Sequence, residues 1–264
     1  MIPGPGLYPI VDLDTLEARG IPALPFADAV LEARPPLLQL RAKGQAPRRT
    51  LELLRELVPR CRAAGALLFA NDRPDLAELG GADGVHVGQG DLPLAAVRRH
   101  FPRLRVGVST HDADQLARAL AEWPDYVAFG PVFATRSKAR PEPVVGLDGL
   151  ERAGALARQA NCPLVAIGGI DLARARAVAA HATCAAVIAE LVAAGDAPAA
   201  TTVPAPSLPT GRDCPTRAAM LFIARSGTCA VTTGRAGVPE TRAVAMSAAP
   251  NSRPMSDGLI GVAS

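Results

Sequence analysis

Residues 69–91 read FANDRPDLAELGGADGVHVGQGD, and this stretch contains the pattern that decides the fold. The apolar runs LLFAN (67–71) and GVHVGQ (84–89) lie on either side of a helical segment, RPDLAEL. A buried strand, a helix and a second buried strand form the unit from which parallel sheets are built. The stretch therefore predicts two parallel strands joined by a helix.

The same alternation recurs along most of the chain. We predict strands at 6–11, 37–41, 66–70, 84–87, 105–109, 126–130, 163–168 and 185–189. Segments between them repeat apolar residues every three or four positions, as amphipathic helices do. Eight strand–helix units favour an α/β protein with a closed (β/α)8 TIM barrel, although the pattern alone does not exclude an open doubly wound sheet.

The amino-acid composition of the chain changes after residue 195. Pro, Ala and Thr become frequent, and no sustained periodicity follows apart from a short apolar patch, AAMLFIA, at 218–224. Such composition is typical of segments that cannot bury enough apolar surface to fold. We therefore predict a barrel domain at 1–195 and a weakly ordered, low-complexity C-terminal tail at 196–264.

The composition argues against several classes of function. A formal net charge of +3 with scattered arginines gives no support to nucleic-acid binding. No apolar run reaches the length of a membrane span, and the N-terminal segment lacks the features of a secretory signal. Five cysteines without CxxC spacing argue against a disulfide framework or a zinc site. We expect a soluble cytoplasmic protein that acts on small molecules, and the sequence leaves a homo-oligomer open.

Polar residues stand at alternate positions along the second predicted strand and just beyond it. Gln39, Arg41 and Lys43 share one side of the strand because side chains alternate between its two faces. Two cations on one side favour an anion-binding site. The alternative is a solvated strand end, which does not explain Gln39 inside the apolar run LLQLR.

Two carboxylates follow neighbouring predicted strands. Asp72 comes after the third strand and Asp91 after the fourth, and adjacent strands lie roughly 5 Å apart. Two carboxylates with phosphate oxygens and waters are a common arrangement around Mg²⁺. The alternative is that each aspartate caps the helix that follows it. Their position beside the cationic strand favours the metal site.

The remaining strand ends carry groups suited to phosphate. Ser109 and His111 follow the fifth strand as a hydroxyl donor and an acid/base candidate. Lys138 lies in a long polar loop after the sixth strand and is a candidate for neutralising a phosphate. Gly168 and Gly169 precede a helix start, where backbone N–H groups bind anions. We therefore expect two phosphate-bearing groups in one site.

Six segments together resemble a known family. They are YPIVD (8–12), QLRAK (39–43), NDRPDLAELGGADGVHVGQGDLP (71–93), GVSTH (107–111), DYVAFGPVFATRSK (125–138) and AIGGI (166–170). In this order, across residues 6–192, they resemble the thiamine-phosphate synthase (thiamine-phosphate pyrophosphorylase) family. The resemblance implies a (β/α)8 barrel that joins hydroxymethylpyrimidine diphosphate to a thiazole phosphate, giving thiamine phosphate and pyrophosphate.

The resemblance also implies roles for single residues. It assigns the pyrimidine diphosphate to Gln39, Arg41, Lys43, Asn71, Ser109 and Lys138. It assigns Mg²⁺ to Asp72 and Asp91, and the thiazole phosphate to Thr135, Arg136, Ser137, Gly169, Ile188 and Ala189. Arg41, Lys43 and Lys138 would be catalytic because, with Mg²⁺, they stabilise the departing pyrophosphate, and no protein nucleophile is needed.

Two segments depart from the family pattern. The eighth predicted strand lies in HATCAAVIAE, where the family has glycines and a serine, and a Pro-rich tail stands where the family has its closing helix. Two alternatives stay open, the first opposed by the retained diphosphate residues and the second motivated by these departures. One is a related thiazole tautomerase, which does not need the diphosphate residues; the other is a non-catalytic barrel that binds thiazole or thiamine phosphate.

Overall fold

The computed structural model describes residues 4–135 and 142–193, without the side chain of Ala193. In this part of the chain, eight parallel strands close into a barrel in sequence order, and the last strand pairs with the first. The prediction of a (β/α)8 barrel is therefore confirmed. The predicted tail at 196–264 lies outside the described residues.

The strands begin and end within two residues of their predicted positions. They are β1 Gly6–Asp12, β2 Leu37–Arg41, β3 Leu67–Asn71, β4 Gly84–Val87, β5 Arg105–Thr110, β6 Tyr126–Phe129, β7 Leu164–Ile167 and β8 Cys184–Val187. The largest difference is at β8, which ends two residues early because a helix begins at Ala189.

Helices cover the outside of the barrel. They are α1 Leu13–Glu17, α2 Ala23–Leu31, α3 Pro47–Ala64, α4 Pro74–Gly80, α5 Leu94–His100, α6 Ala113–Ala121, α7 Gly146–Gln159, α8 Leu172–Ala179 and α9 Ala189–Ala193. Their apolar faces and the outward faces of the strands share one large core. No helix in the described ranges is long and apolar enough to cross a membrane.

The last described helix, α9, packs into the large core outside the barrel. Leu191 and Val192 are buried in the large core, and the Arg19 guanidinium donates a hydrogen bond of 3.2 Å to the Val192 carbonyl. The chain after β8 therefore contributes cover to the barrel before the predicted tail begins.

Three aromatic rings fill much of the barrel interior. Tyr8, Phe69 and Tyr126 pack edge to face, with ring centroids 5.4–6.4 Å apart. Two glycines on neighbouring strands make room for them: Gly84 pairs with Phe69, and Gly107 pairs with Tyr126. A Cβ at Gly107 would lie 2.1 Å from the Tyr126 ring, so the glycine is a packing requirement.

This packing predicts that Gly107→Ala destabilises the protein. The methyl group would displace Tyr126 from a filled interior, and overpacking of this kind costs about 1–3 kcal/mol of unfolding free energy. Gly90→Ala is the matched control because a Cβ there meets no atom within 4 Å. Denaturant unfolding measures both variants. Equal stabilities for the two would contradict the proposed role of Gly107.

Candidate active site

A cavity of about 770 Å³ opens at the C-terminal ends of the strands. Every predicted site residue that the structure describes lines it: Gln39, Arg41, Lys43, Asn71, Asp72, Asp91, Ser109, Thr135, Gly169, Ile188 and Ala189. The other three, Arg136, Ser137 and Lys138, lie outside the described residues. The barrel therefore brings together residues that are up to 150 positions apart in the sequence.

The cations of β2 reach this cavity as their alternation predicts. Gln39 is buried within the barrel, whereas Arg41 and Lys43 lie further along the same side. Arg41 donates a hydrogen bond to Asp12, a carboxylate whose side chain is only 4% exposed. The Lys43 ammonium lies 3.1 Å from Asp72 Oδ2. Each cation is thus held in place by a carboxylate from a neighbouring strand end.

Asp12 is a site residue that the sequence reasoning missed. It caps α1 by accepting a hydrogen bond from the Thr15 N–H, and the β1–β2 register sets it directly opposite Arg41. The signal was an acidic residue at the end of the strand YPIVD. Its pairing with Arg41 depends on the register of β1 and β2, and the pattern of apolar residues does not reveal that register.

Asp72 and Asp91 lie beside each other, as their strand positions predict. Asp72 has a left-handed backbone (φ 63°), and its N–H donates to the His86 carbonyl at 2.8 Å. Asp91 folds back so that its Oδ2 accepts the Gly88 N–H at 2.7 Å. Burial raises the pKa of the Asp91 carboxyl, and the neighbouring Asp72 carboxylate raises it further.

The alternative that these aspartates cap helices is wrong. Helix α4 has Arg73 at its N-cap and α5 has Pro93, and neither helix start has a capping side-chain hydrogen bond. The aspartates therefore face each other and Lys43 across the cavity edge.

The two carboxylates fit a divalent cation that takes further ligands from a substrate. Two neighbouring carboxylates repel each other, and this repulsion raises the pKa of a carboxyl group. A cation bound between them offsets the repulsion. Among the described residues, no group of three or more His, Cys, Asp or Glu side chains is placed to hold a metal. A pair of carboxylates suits a metal such as Mg²⁺, which usually keeps waters and phosphate oxygens in its shell.

The opposite side of the cavity is formed by the β7–α8 connection. Gly168 and Gly169 have positive φ angles of 100° and 62°, and a Cβ at Gly169 would lie 2.4 Å from the Ala134 carbonyl oxygen. Only glycine suits both the conformation and the space. The backbone here therefore lies against the β6 loop and borders the cavity, ahead of the α8 N-terminus.

Arg174 is a second cavity residue that the sequence reasoning missed. Its guanidinium lies 4.6 Å from the centroid of the Phe133 ring and donates to the Gly169 carbonyl at 2.7 Å. It stands in the first turn of α8, within DLARARA, where an arginine looks like an ordinary exposed helix residue. The packing of α8 on the barrel brings Arg174 beside Gly168 and Gly169, and the sequence alone does not show this.

The floor of the cavity includes polar groups of β4 and β5. Ser109 Oγ lies 2.7 Å from His86 Nε2, and both residues line the cavity. His111 lies nearer the rim, where its Nδ1–H donates to the Gly130 carbonyl at 2.6 Å. His86 was also missed, although a histidine inside the buried strand GVHV signals a polar partner.

Comparisons with known proteins agree with this geometry. The family model described as thiamine monophosphate synthase matches residues 7–191. Thiamine-phosphate synthase of Anaeromyxobacter dehalogenans is 45% identical over 183 residues, which are 66% of this chain and 80% of that protein. The enzyme of the same name from Mycolicibacterium smegmatis is 44% identical over 186 residues, again 66% of this chain and 80% of that protein.

A solved structure supports the same relationship. The thiamine phosphate pyrophosphorylase from Pyrococcus furiosus superposes with a TM-score of 0.67 at 27% identity, covering 84% of this chain and 94% of that one. The family model, the relatives and the barrel lead to one conclusion. The chain belongs to the thiamine monophosphate synthase family, transferases of thiamine biosynthesis.

Proposed function

We propose that this enzyme condenses hydroxymethylpyrimidine diphosphate with a thiazole phosphate, releasing pyrophosphate and forming thiamine phosphate. One observation carries the proposal: the Asp72–Asp91 carboxylate pair lies beside the cations of β2 in a single cavity. A diphosphate with a bound divalent cation matches this combination of charges. A phosphate monoester alone does not require it.

The diphosphate is proposed to lie at the β2–β4 side of the cavity. Arg41 is pre-oriented by Asp12 and presents a planar guanidinium, which suits bidentate contact with phosphate oxygens. Lys43 supplies a second, more mobile positive charge, since its side chain is 52% exposed. Asn71 and Ser109 line the same side and offer hydrogen bonds to the pyrimidine.

Mg²⁺ is proposed to bind Asp72 and Asp91. When bound, it supplies positive charge to the diphosphate oxygens as the leaving group departs. Lys43 contacts Asp72 and lowers the pKa of Asp91, so it already offsets part of the negative charge of this pair. With Mg²⁺ held by the two carboxylates, the Lys43 ammonium would be able to contact the diphosphate.

The thiazole phosphate is proposed to lie at the β6–β8 side. Gly169, Thr135, Ile188 and Ala189 border that side, and main-chain N–H groups ahead of a helix attract phosphate. Arg136, Ser137 and Lys138 remain predicted contacts from the family resemblance. The absence of a serine in the β8 segment leaves the main chain as the expected source of donors there.

The chemistry is a displacement with little covalent participation by the protein. The bond between the pyrimidine methylene carbon and the diphosphate oxygen breaks, and its electron pair leaves with pyrophosphate. The methylene carbon becomes cation-like, and the lone pair of the thiazole nitrogen forms the new carbon–nitrogen bond. Arg41 and Lys43 lower the barrier by stabilising the charge that develops on pyrophosphate.

Several earlier expectations stay predictions. They are the cytoplasmic location, the lack of nucleic-acid partners, the possibility of a homo-oligomer, and the division into a barrel at 1–195 and a tail at 196–264.

The proposed reaction predicts that purified protein with both substrates and Mg²⁺ forms thiamine phosphate and pyrophosphate in equal amounts. Chromatography of the thiamine phosphate and a coupled pyrophosphate assay measure the two products, and a metal chelator should stop the reaction. Folded protein that forms neither product would refute the synthase assignment. Conversion of a thiazole tautomer without pyrophosphate release would favour the tautomerase, and binding without turnover would favour the non-catalytic barrel.

The Arg41–Asp12 pair predicts that a second substitution restores the stability lost in an Arg41 variant but not its activity. Arg41→Gln should lower kcat/KM about 100-fold, because one preorganised cation is lost from the leaving group. It should also cost about 3 kcal/mol of unfolding free energy, because Asp12 is left buried without its partner. Adding Asp12→Asn should recover most of that stability and none of the activity. Recovery of kcat/KM in the double variant would show that Arg41 acts only through stability.

The carboxylate pair predicts that Asp91→Asn raises the stability of the metal-free protein and lowers its activity. A raised Asp91 pKa means that the folded protein favours the protonated form, so stability falls as the pH rises through that pKa. Asp91→Asn should therefore raise the melting temperature of metal-free protein near neutral pH, and this gain should shrink toward the ordinary Asp pKa of about 3.9.

The same variant should lose stabilisation by Mg²⁺ and the Mg²⁺-dependent activity. Asp75→Asn is the matched control, because Arg73 lowers the pKa of Asp75 and its loss should not stabilise the protein. Thermal unfolding with and without Mg²⁺ measures these effects. Equal Mg²⁺ stabilisation in wild type and Asp91→Asn would remove Asp91 from the metal site.

A further inference from the structure

A chain of hydrogen bonds crosses the barrel interior beneath the cavity. It runs from Gln39 Nε2 to the Tyr8 hydroxyl (2.9 Å), from there to the Tyr126 hydroxyl (2.8 Å), and on to His86 Nδ1 (2.8 Å). It ends where His86 Nε2 lies 2.7 Å from Ser109 Oγ. Both ends of the chain, Gln39 and Ser109, line the substrate cavity.

The Ser109–His86 contact permits two opposite chemical roles. If His86 Nε2 accepts the serine proton, the pair resembles the nucleophile and base of a hydrolase. If His86 Nε2 carries a proton and donates it, Ser109 Oγ accepts, and the serine proton is directed elsewhere. The direction of the chain decides between these roles.

The Gln39 end sets that direction. Its amide nitrogen only donates, so the Tyr8 oxygen accepts there. Tyr8 is 1% exposed, and a hydroxyl proton with no acceptor at this depth would be costly, so Tyr8 donates to Tyr126. Tyr126 in turn donates to His86 Nδ1, which must then be unprotonated.

The environment of the two tyrosines keeps both hydroxyls protonated. Burial is the main cause that raises the pKa of both hydroxyls well above the ordinary tyrosine value. Each phenol therefore keeps its proton, and each proton is used in the chain. The neutral His86 that results carries its single proton on Nε2 and donates it to Ser109 Oγ.

We propose that Tyr8, Tyr126 and His86 are positioning residues that make Ser109 a hydrogen-bond donor to the pyrimidine diphosphate and prevent it from acting as a nucleophile. The Ser109 oxygen is occupied by the His86 N–H, so its own proton is directed to an acceptor atom of that substrate. The identity of the acceptor rests on the proposed function. The tautomer of His86 does not, because it is inferred from the hydrogen bonds among Gln39, Tyr8, Tyr126 and His86.

The first test measures the His86 tautomer by ¹⁵N NMR of protein labelled at its four histidines, with His86→Gln used to assign the signal. Neutral His86 with its proton on Nε2 is expected. Tyr126→Phe retains the ring and removes the donor to Nδ1, so a mixture of tautomers should appear. Protonation at Nδ1 or at both nitrogens in wild type, or an unchanged tautomer in Tyr126→Phe, would overturn the proposal.

The second test is a double-mutant cycle on turnover. Tyr126→Phe should lower kcat about tenfold, the effect of misorienting one hydrogen bond in the transition state. The same change in a Ser109→Ala background should have no further effect, because its target is absent. An equal loss in both backgrounds would show that Tyr126 has only a structural role.

Thr110→Val is the matched control for this cycle. Thr110 is the buried neighbour of Ser109 on β5, and its hydroxyl donates to the Ala128 carbonyl at 2.9 Å, outside the proposed chain. Its effect on kcat should be the same in both backgrounds. If wild type forms no thiamine phosphate, the proposed function fails, and the tautomer measurement still decides the direction of the chain.

Discussion

The aromatic layer inside the barrel is the packing constraint on which the rest of the site depends. Phe69 and Tyr126 each stand opposite a glycine of the neighbouring strand, so the interior is filled without pushing the strands apart. The hydroxyls of Tyr8 and Tyr126 meet within this layer. A single set of side chains therefore fills the core and supplies the polar atoms that support the cavity floor.

Strand register determines which polar side chains lie side by side at the strand ends. Because neighbouring strands are parallel and in register, residues that end adjacent strands are placed side by side, as Asp12 and Arg41 are. The same principle brings Asp72 next to Asp91 and both next to Lys43. The site is built from strand ends and the first residues after them, so the barrel positions its side chains.

Much of this arrangement was predictable from the sequence, because strand alternation and the order of strands in a barrel are local signals. Residues 37–43 show this well: the two-residue spacing correctly placed Gln39, Arg41 and Lys43 on one side. The register and the partners of buried polar groups were not predictable. Tyr8 and Tyr126 are 118 positions apart, and nothing in either strand identifies the other. The helix-capping alternative for Asp72 was likewise decided only by the start of α4, where Arg73 is the N-cap residue and no side chain caps the helix.

The balance of charge around Arg41 has a consequence for the order in which ligands bind. In the part of the chain that the structure describes, four carboxylates (Asp12, Asp14, Asp72 and Asp91) accompany two cations (Arg41 and Lys43), so carboxylates outnumber cations at this end of the cavity. Under the proposed function, a diphosphate that arrives alone would meet this excess of negative charge. Under the proposed function, a divalent cation at Asp72 and Asp91 would offset that excess, so we expect ordered binding in which the metal enters first or arrives already bound to the diphosphate.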